Sequence, residues 1–168
     1  MQGRQSSLRL WRGVREPYEI LSARGGRLLG GRWNPPGVAA LYLSFEPATV
    51  RAELARAAEL QGDREEAIYP LTLGQIAVAA EVVELLEPDL LESLGVETPL
   101  SALVPKPQTQ LVGATALDLG IEALIVPSVA ARAENVVLFP DNLANPPQIV
   151  SRRRVSSPGR WPRSRQGR

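Results

Sequence analysis

The chain has 168 residues, with 19 Lys and Arg against 18 Asp and Glu, and it contains neither cysteine nor histidine. That length suits one domain with tails, and 44% hydrophobic with 22% charged residues is the balance of a globular protein rather than a disordered one. The double absence excludes disulfides, thiol nucleophiles and Ser-His-Asp or Cys-His arrangements, makes a zinc site improbable, and leaves acid–base chemistry to Asp, Glu, Tyr and the single lysine, Lys106.

Residues 8–14 alternate apolar and arginine positions and read as a short strand. Residues 16–21 read as a turn or a single helical turn. The stretch 24–37 holds five glycines and two prolines and is expected to be a loop with few side chains to bury. Residues 38–44 form an apolar run that predicts a buried strand. Pro47 follows Glu46 and suits a first helical position. Apolar residues at 50, 54, 57 and 58 then mark one face of a helix over 48–61, stopped by Gly62. Two strands are expected at 68–73 and 77–83, and a short helix at 88–94 closed by Gly95. Residues 99–107 are a proline-rich connection, and 108–119 predict a helix stopped by Gly120. Strands follow at 123–126, 136–139 and 148–155. Strands outnumber helices without regular alternation, which favours α+β over a doubly wound parallel sheet.

No segment approaches the ~20 apolar residues of a spanning helix, and the arginines of residues 1–12 have no apolar run behind them, so a cytoplasmic protein is expected. All 18 acidic residues precede Ser151, whereas seven of the 19 basic ones follow Val150. The expected division is a domain over 1–155 and a solvated, disordered basic tail over 156–168, with Trp161 its lone aromatic.

Four local features carry chemistry. The block Gly30-Gly31-Arg32-Trp33-Asn34-Pro35-Pro36-Gly37 joins glycines, which permit close backbone approach, to an arginine fork suited to phosphate. It lacks the Lys-Ser/Thr end of a Walker loop, and it precedes a strand rather than following one as a dinucleotide fingerprint does. On the strand Leu41-Tyr42-Leu43-Ser44, Tyr42 and Ser44 share a face while Leu41 and Leu43 point into a core. Glu53 lies about 60° from Val50 on the helical wheel, at the border of the buried face. The competing reading is a surface glutamate paired with Arg56. Ser128 ends a strand and Asn135 opens the next. Each feature alone also fits a bland role: a tight turn, a core-edge tyrosine, a surface ion pair, a turn hydroxyl.

In this order the features resemble the RES domain, a family named for its arginine, glutamate and serine. The resemblance spans roughly residues 8–142 and is strongest in Gly30-Gly31-Arg32-Trp33-Asn34-x-x-Gly37 with Tyr42 and Glu53; residues 62–120 match weakly. It implies a single α+β domain of ADP-ribosyltransferase-like fold, with mixed sheets and flanking helices. It implies a toxin that degrades NAD+ and is paired with an Xre-type antitoxin, through which nucleic acid would be met only indirectly. Some members are phosphorylases that split NAD+ with inorganic phosphate into nicotinamide and ADP-ribose-1″-phosphate; relatives transfer ADP-ribose to protein. A non-catalytic module binding a nucleotide or an antitoxin is the remaining alternative. Nicotinamide is a cationic leaving group, so its departure needs no general acid, only a carboxylate beside an oxocarbenium-like ribose. The resemblance assigns that role to Glu53. It assigns the pyrophosphate to Arg32 with Gly30 and Gly31, the nicotinamide ring to Tyr42, and hydrogen bonds to ribose or incoming phosphate to Ser128 and Asn135. Arg12 is a further candidate for the pocket wall. NAD+ is then a substrate, and neither metal nor bound cofactor is expected.

Overall fold

The two longest strands organise the chain. In the computed structural model, which describes residues 3–100 and 106–162, β1 (Arg4–Arg15) and β3 (Leu71–Glu84) run antiparallel in continuous register from Arg4↔Val82 to Arg15↔Leu71. Around them lie β2 (Leu41–Ser44), β4 (Ala123–Pro127), β5 (Glu134–Leu138) and β6 (Gln148–Val155). All six strands join one sheet in the order β1-β2-β5-β4-β3-β6. Because β1 also pairs with β3, the first five strands close on themselves and β6 extends the β3 edge. Pairing is mixed: β3 and β4 are parallel, the others antiparallel. The helices α1 (Arg24–Leu29), α2 (Pro47–Leu60), α3 (Pro88–Ser93) and α4 (Lys106–Asp118) flank the sheet. This is the α+β, strand-rich architecture expected, in a single domain.

Three apolar clusters fill the fold. One lies between α4 and the sheet around Trp33, Leu85, Leu124 and Phe139. A second lies inside the closed strands around Leu10, Leu41, Leu43, Ile76 and Leu138. The third sits under α2 with Val50, Leu71, Leu73 and Val155. Leu41 and Leu43 enter the second cluster while Tyr42 packs on the first, as strand alternation requires.

Several expectations are corrected by tertiary packing. Residues 24–29 of the expected loop are α1, with Arg27 N–H donating to Ala23 O and Gly30 N–H to Gly26 O. Gly26 is there for proximity, since a Cβ would come within 2.8 Å of the Ala40 carbonyl. The two strands expected at 68–73 and 77–83 are one, β3. Gly74 does not break it; a Cβ there would meet Ile20 at 2.8 Å, so the glycine seats that side chain. The irregularity is confined to a register shift against β6 between Gln75 and Ile76, and Ile68 closes a 3-10 turn (Glu65–Ile68) instead. On α2, Val50 and Ala58 are buried and Leu54 is partly so, but Ala57 is exposed. Pro47 opens α2 as expected, and Gly62 follows it with φ +79°.

The expected boundary at 155 is not where packing ends. Residues 158–160 form a 3-10 turn. Trp161 packs on the third cluster and donates its indole N–H to the Tyr69 hydroxyl at 2.6 Å. The tail beyond residue 162, and residues 101–105 of the expected connection, lie outside the described residues. Among the described residues, no helix is long and apolar enough to cross a membrane.

Candidate functional site

The end of the sheet where β2 stops and β5 starts gathers most of the expected residues. Register sets Ser44 opposite Asn135, and Asn135 opposite Val126 on the next strand. Ser128 follows directly after β4. The chain leaves β2 through Phe45 and Glu46 into α2, which carries Glu53 back over this end. Ser44 Oγ donates to Asn135 Oδ1 at 2.6 Å, which orients the amide so that Asn135 Nδ2 donates to Glu53 Oε1 at 2.5 Å. Ser128 Oγ donates to the same oxygen at 2.6 Å and accepts the Ala130 and Ala131 N–H groups, each at 3.1 Å.

The Ser128 hydroxyl is therefore saturated: one proton given and two accepted. Its work in this arrangement is to hold Glu53, not to meet an incoming group. Both donors fall on Oε1, and among the described residues no hydrogen bond reaches Oε2, which leaves that oxygen for a substrate hydroxyl or a developing cation. The ion pairs among the described residues are Arg4–Glu84, Arg27–Asp141, Arg51–Glu65 and Arg154–Glu16. Glu53 is in none of them, so the surface pair with Arg56 is not formed.

Arg32, half-buried, lies within electrostatic reach of Glu53, Tyr42 and Arg56. Burial and the Arg56 charge lower its pKa, and the Glu53 and Tyr42 oxygens oppose that. Arg56 is a charge beside Arg32 that sequence reasoning did not place there. Its spacing one turn beyond Glu53 is the available signal, and that spacing fits an ion pair with Glu53 as well.

Tyr42 and the glycines have structural duties as well. The Tyr42 hydroxyl accepts the Trp33 N–H at 2.9 Å and donates to Asn34 Oδ1 at 2.7 Å. Burial raises its pKa and keeps it neutral, with the Trp33 bond and the Arg32 charge opposing. Buried Asn34 in turn donates to the Gly26 and Val38 carbonyls at 2.9 and 2.8 Å. Gly30 has φ +69°, and a Cβ on Gly31 would lie 2.4 Å from the Tyr42 hydroxyl. What comes close to Gly31 is thus the tyrosine of its own fold. Arg12 Nη1 donates to the Ile20 and Ser22 carbonyls at 2.5 and 3.1 Å, tying down the turn after β1; burial lowers its pKa to about 10. None of its hydrogen bonds joins it to Glu53.

An open cleft of about 540 Å³ runs along α2, with Ala52, Arg56, Glu59 and Ala130 in its wall. Arg32, Tyr42 and Glu53 do not line it; it borders their site through Arg56 and Ala130. Among the described residues there is no group of three or more Asp and Glu placed to hold a metal ion.

A closed, mostly antiparallel sheet with an arginine-bearing glycine loop and a glutamate oriented by serine and asparagine is an ADP-ribosyltransferase-like domain. The chain belongs to the RES domain family, whose family model matches residues 9–162. Among solved structures it resembles a chain of the M. tuberculosis MbcT–MbcA toxin–antitoxin complex, with 26% identity and a TM-score of 0.83 over 92% of this chain and 87% of that one. Comparison with curated protein sequences gives no match.

Proposed function

We propose that this chain cleaves the nicotinamide–ribose bond of NAD+ with inorganic phosphate as acceptor, and that it is the toxin of a toxin–antitoxin pair acting on the cytoplasmic NAD+ pool. The observation that carries the reading is the Glu53 carboxylate, fixed at Oε1 by Ser128 and Asn135 and placed beside Arg32. The C1″–N bond breaks with its electron pair leaving on nicotinamide, which becomes neutral. The ribose gains oxocarbenium character, and Glu53 Oε2 holds its hydroxyl and balances its charge. Removing one such preorganised electrostatic group typically costs about 10²–10³ in rate. Arg32 takes the pyrophosphate as a planar fork, and the Tyr42 ring packs the nicotinamide. A phosphate oxygen then forms the new C1″–O bond and gives ADP-ribose-1″-phosphate. Phosphate attacks as an anion and needs no general base, which suits a site without histidine. With the Ser128 hydroxyl committed to Glu53, that second anion falls to Arg56, which lies within electrostatic reach of Arg32 and lines the adjoining cleft. The chemistry calls for neither metal nor bound cofactor.

Membership of the RES family and the likeness to a toxin–antitoxin complex support an antitoxin partner of Xre type, which would carry any contact with nucleic acid. Incubating pure protein with NAD+, with and without phosphate, and resolving products by mass tests the reading. Nicotinamide with ADP-ribose-1″-phosphate is expected. ADP-ribose alone would make water the acceptor, and mass added to the protein itself would make it an ADP-ribosyltransferase.

A further inference from the structure

Helix α4 lies in the part of the chain that matches the family motif least, yet it touches the arginine loop at three consecutive carbonyls. Gln110 Nε2 donates to Gly31 O at 2.8 Å. Thr109 Oγ1, fully buried, donates to Arg32 O at 2.5 Å and shares its proton with Lys106 O at 3.0 Å. Gly113 lies so close to the loop that a Cβ would stand 1.6 Å from Trp33 O. The opposite side of the loop is held by the Tyr42 hydroxyl on Trp33 N–H. The helix itself is anchored by Val112 and Ala116 in the cluster that also contains Trp33.

A loop held at residues 31, 32 and 33 from one side and at 33 from the other has little freedom at the Arg32 Cα. That backbone fixes the Cα–Cβ vector from which the long side chain starts and limits the rotamers open to it. We propose that Thr109 and Gln110 are positioning residues for Arg32: α4 grips the loop through its carbonyls and so aims the guanidinium at the substrate pyrophosphate beside Glu53. Gly113 is the close-approach residue that lets the grip form. The inference rests on the NAD+ reading above.

The test is a set of double-mutant cycles on the full chain. Gln110→Ala and Thr109→Val are made alone and in an Arg32→Lys background, with Thr109→Ser as the conservative rescue. KM for NAD+, kcat and Tm are measured for each. One lost hydrogen bond at this grip should raise KM for NAD+ about three- to tenfold, and Thr109→Ser should restore it. In the Arg32→Lys background the further rise should shrink to less than about twofold, because the grip then has no fork to aim. Leu91→Ala, in the same apolar cluster but on α3 and without a hydrogen bond to the loop, is the control for general softening: it should lower Tm and leave KM alone. Equal fold losses in both backgrounds, unchanged KM in the two variants, or the same KM rise in Leu91→Ala would each overturn the assignment. Wild-type protein that neither binds nor cleaves NAD+ would overturn the NAD+ reading and this inference together. Ordinary wild-type turnover with indifferent variants would overturn this inference alone.

Discussion

Replacing Glu53 with glutamine exchanges one oxygen for an NH2 group and removes one charge. In the structure both hydrogen bonds to Glu53 fall on Oε1, from Ser128 at 2.6 Å and Asn135 at 2.5 Å. A glutamine can keep its carbonyl oxygen there and satisfy the same two donors, so shape and local bonding survive. The position of Oε2 then carries a donor instead of an anionic acceptor, where the proposed reaction puts a ribose that is becoming positive. Loss of one electrostatic group of this kind costs about 10²–10³ in kcat, or about 2.7–4 kcal/mol. A surface pair with Arg56 would have been worth only ~0–1 kcal/mol and would have left turnover intact. Ser128→Ala is the companion: it deletes the donor to Glu53 and the acceptor of the half-buried Ala130 and Ala131 N–H groups, so it should cost stability as well, about 1 kcal/mol for the lost hydrogen bonds. The assay is nicotinamide release under saturating NAD+, with Tm followed in parallel. Glu53→Gln with wild-type turnover and wild-type Tm would show that the carboxylate has no electrostatic role in the reaction.

Arg32→Lys keeps the charge and loses the planar fork, so NAD+ binding should weaken; unchanged binding by calorimetry would move the pyrophosphate to another cation. Truncation after Ser157 removes Trp161 and its bond to Tyr69, at ~2 kcal/mol for the indole packing and the hydrogen bond. At about 2–4 °C per kcal/mol in a chain of this size, thermal melting should show a drop of several degrees, and an unchanged Tm would mean the indole contributes nothing. The Arg51 hydrogen bond, and with it that of Tyr69, holds the Glu65 carboxyl below its usual value of 4.5 against the effect of burial. Its contribution is therefore complete above about pH 4.5 and is lost as pH falls through the folded value; Glu65→Gln should flatten the acid limb of a stability–pH curve, and an identical limb would contradict the pairing.

The positions that sequence reasoning found are those where a side chain's own chemistry does the work. Glu53, Ser128 and Asn135 are legible as one site through the resemblance to the RES domain; residue type and spacing alone fit a surface ion pair and a turn hydroxyl equally well, and strand register is what brings the three together. The grip of α4 could not be read that way. Thr109 and Gln110 bond to main-chain carbonyls, and every residue has one. Glycines misled in the same sense: Gly74 and Gly26 look like breakers, yet each makes room for a neighbour distant in sequence, Ile20 and the Ala40 carbonyl. Trp161 was a legible exception to its basic surroundings, but its partner Tyr69 lies 92 residues away.

In the proposed reaction the second oxygen of Glu53, held through Oε1 by Ser128 and Asn135, meets the ribose of NAD+, and phosphate completes the transfer. Its most direct measurement is the product mixture from purified protein and NAD+ at several phosphate concentrations, resolved by mass. Nicotinamide is expected in step with ADP-ribose-1″-phosphate, at a rate that rises with phosphate. Folded protein that releases no nicotinamide over a long incubation would contradict it.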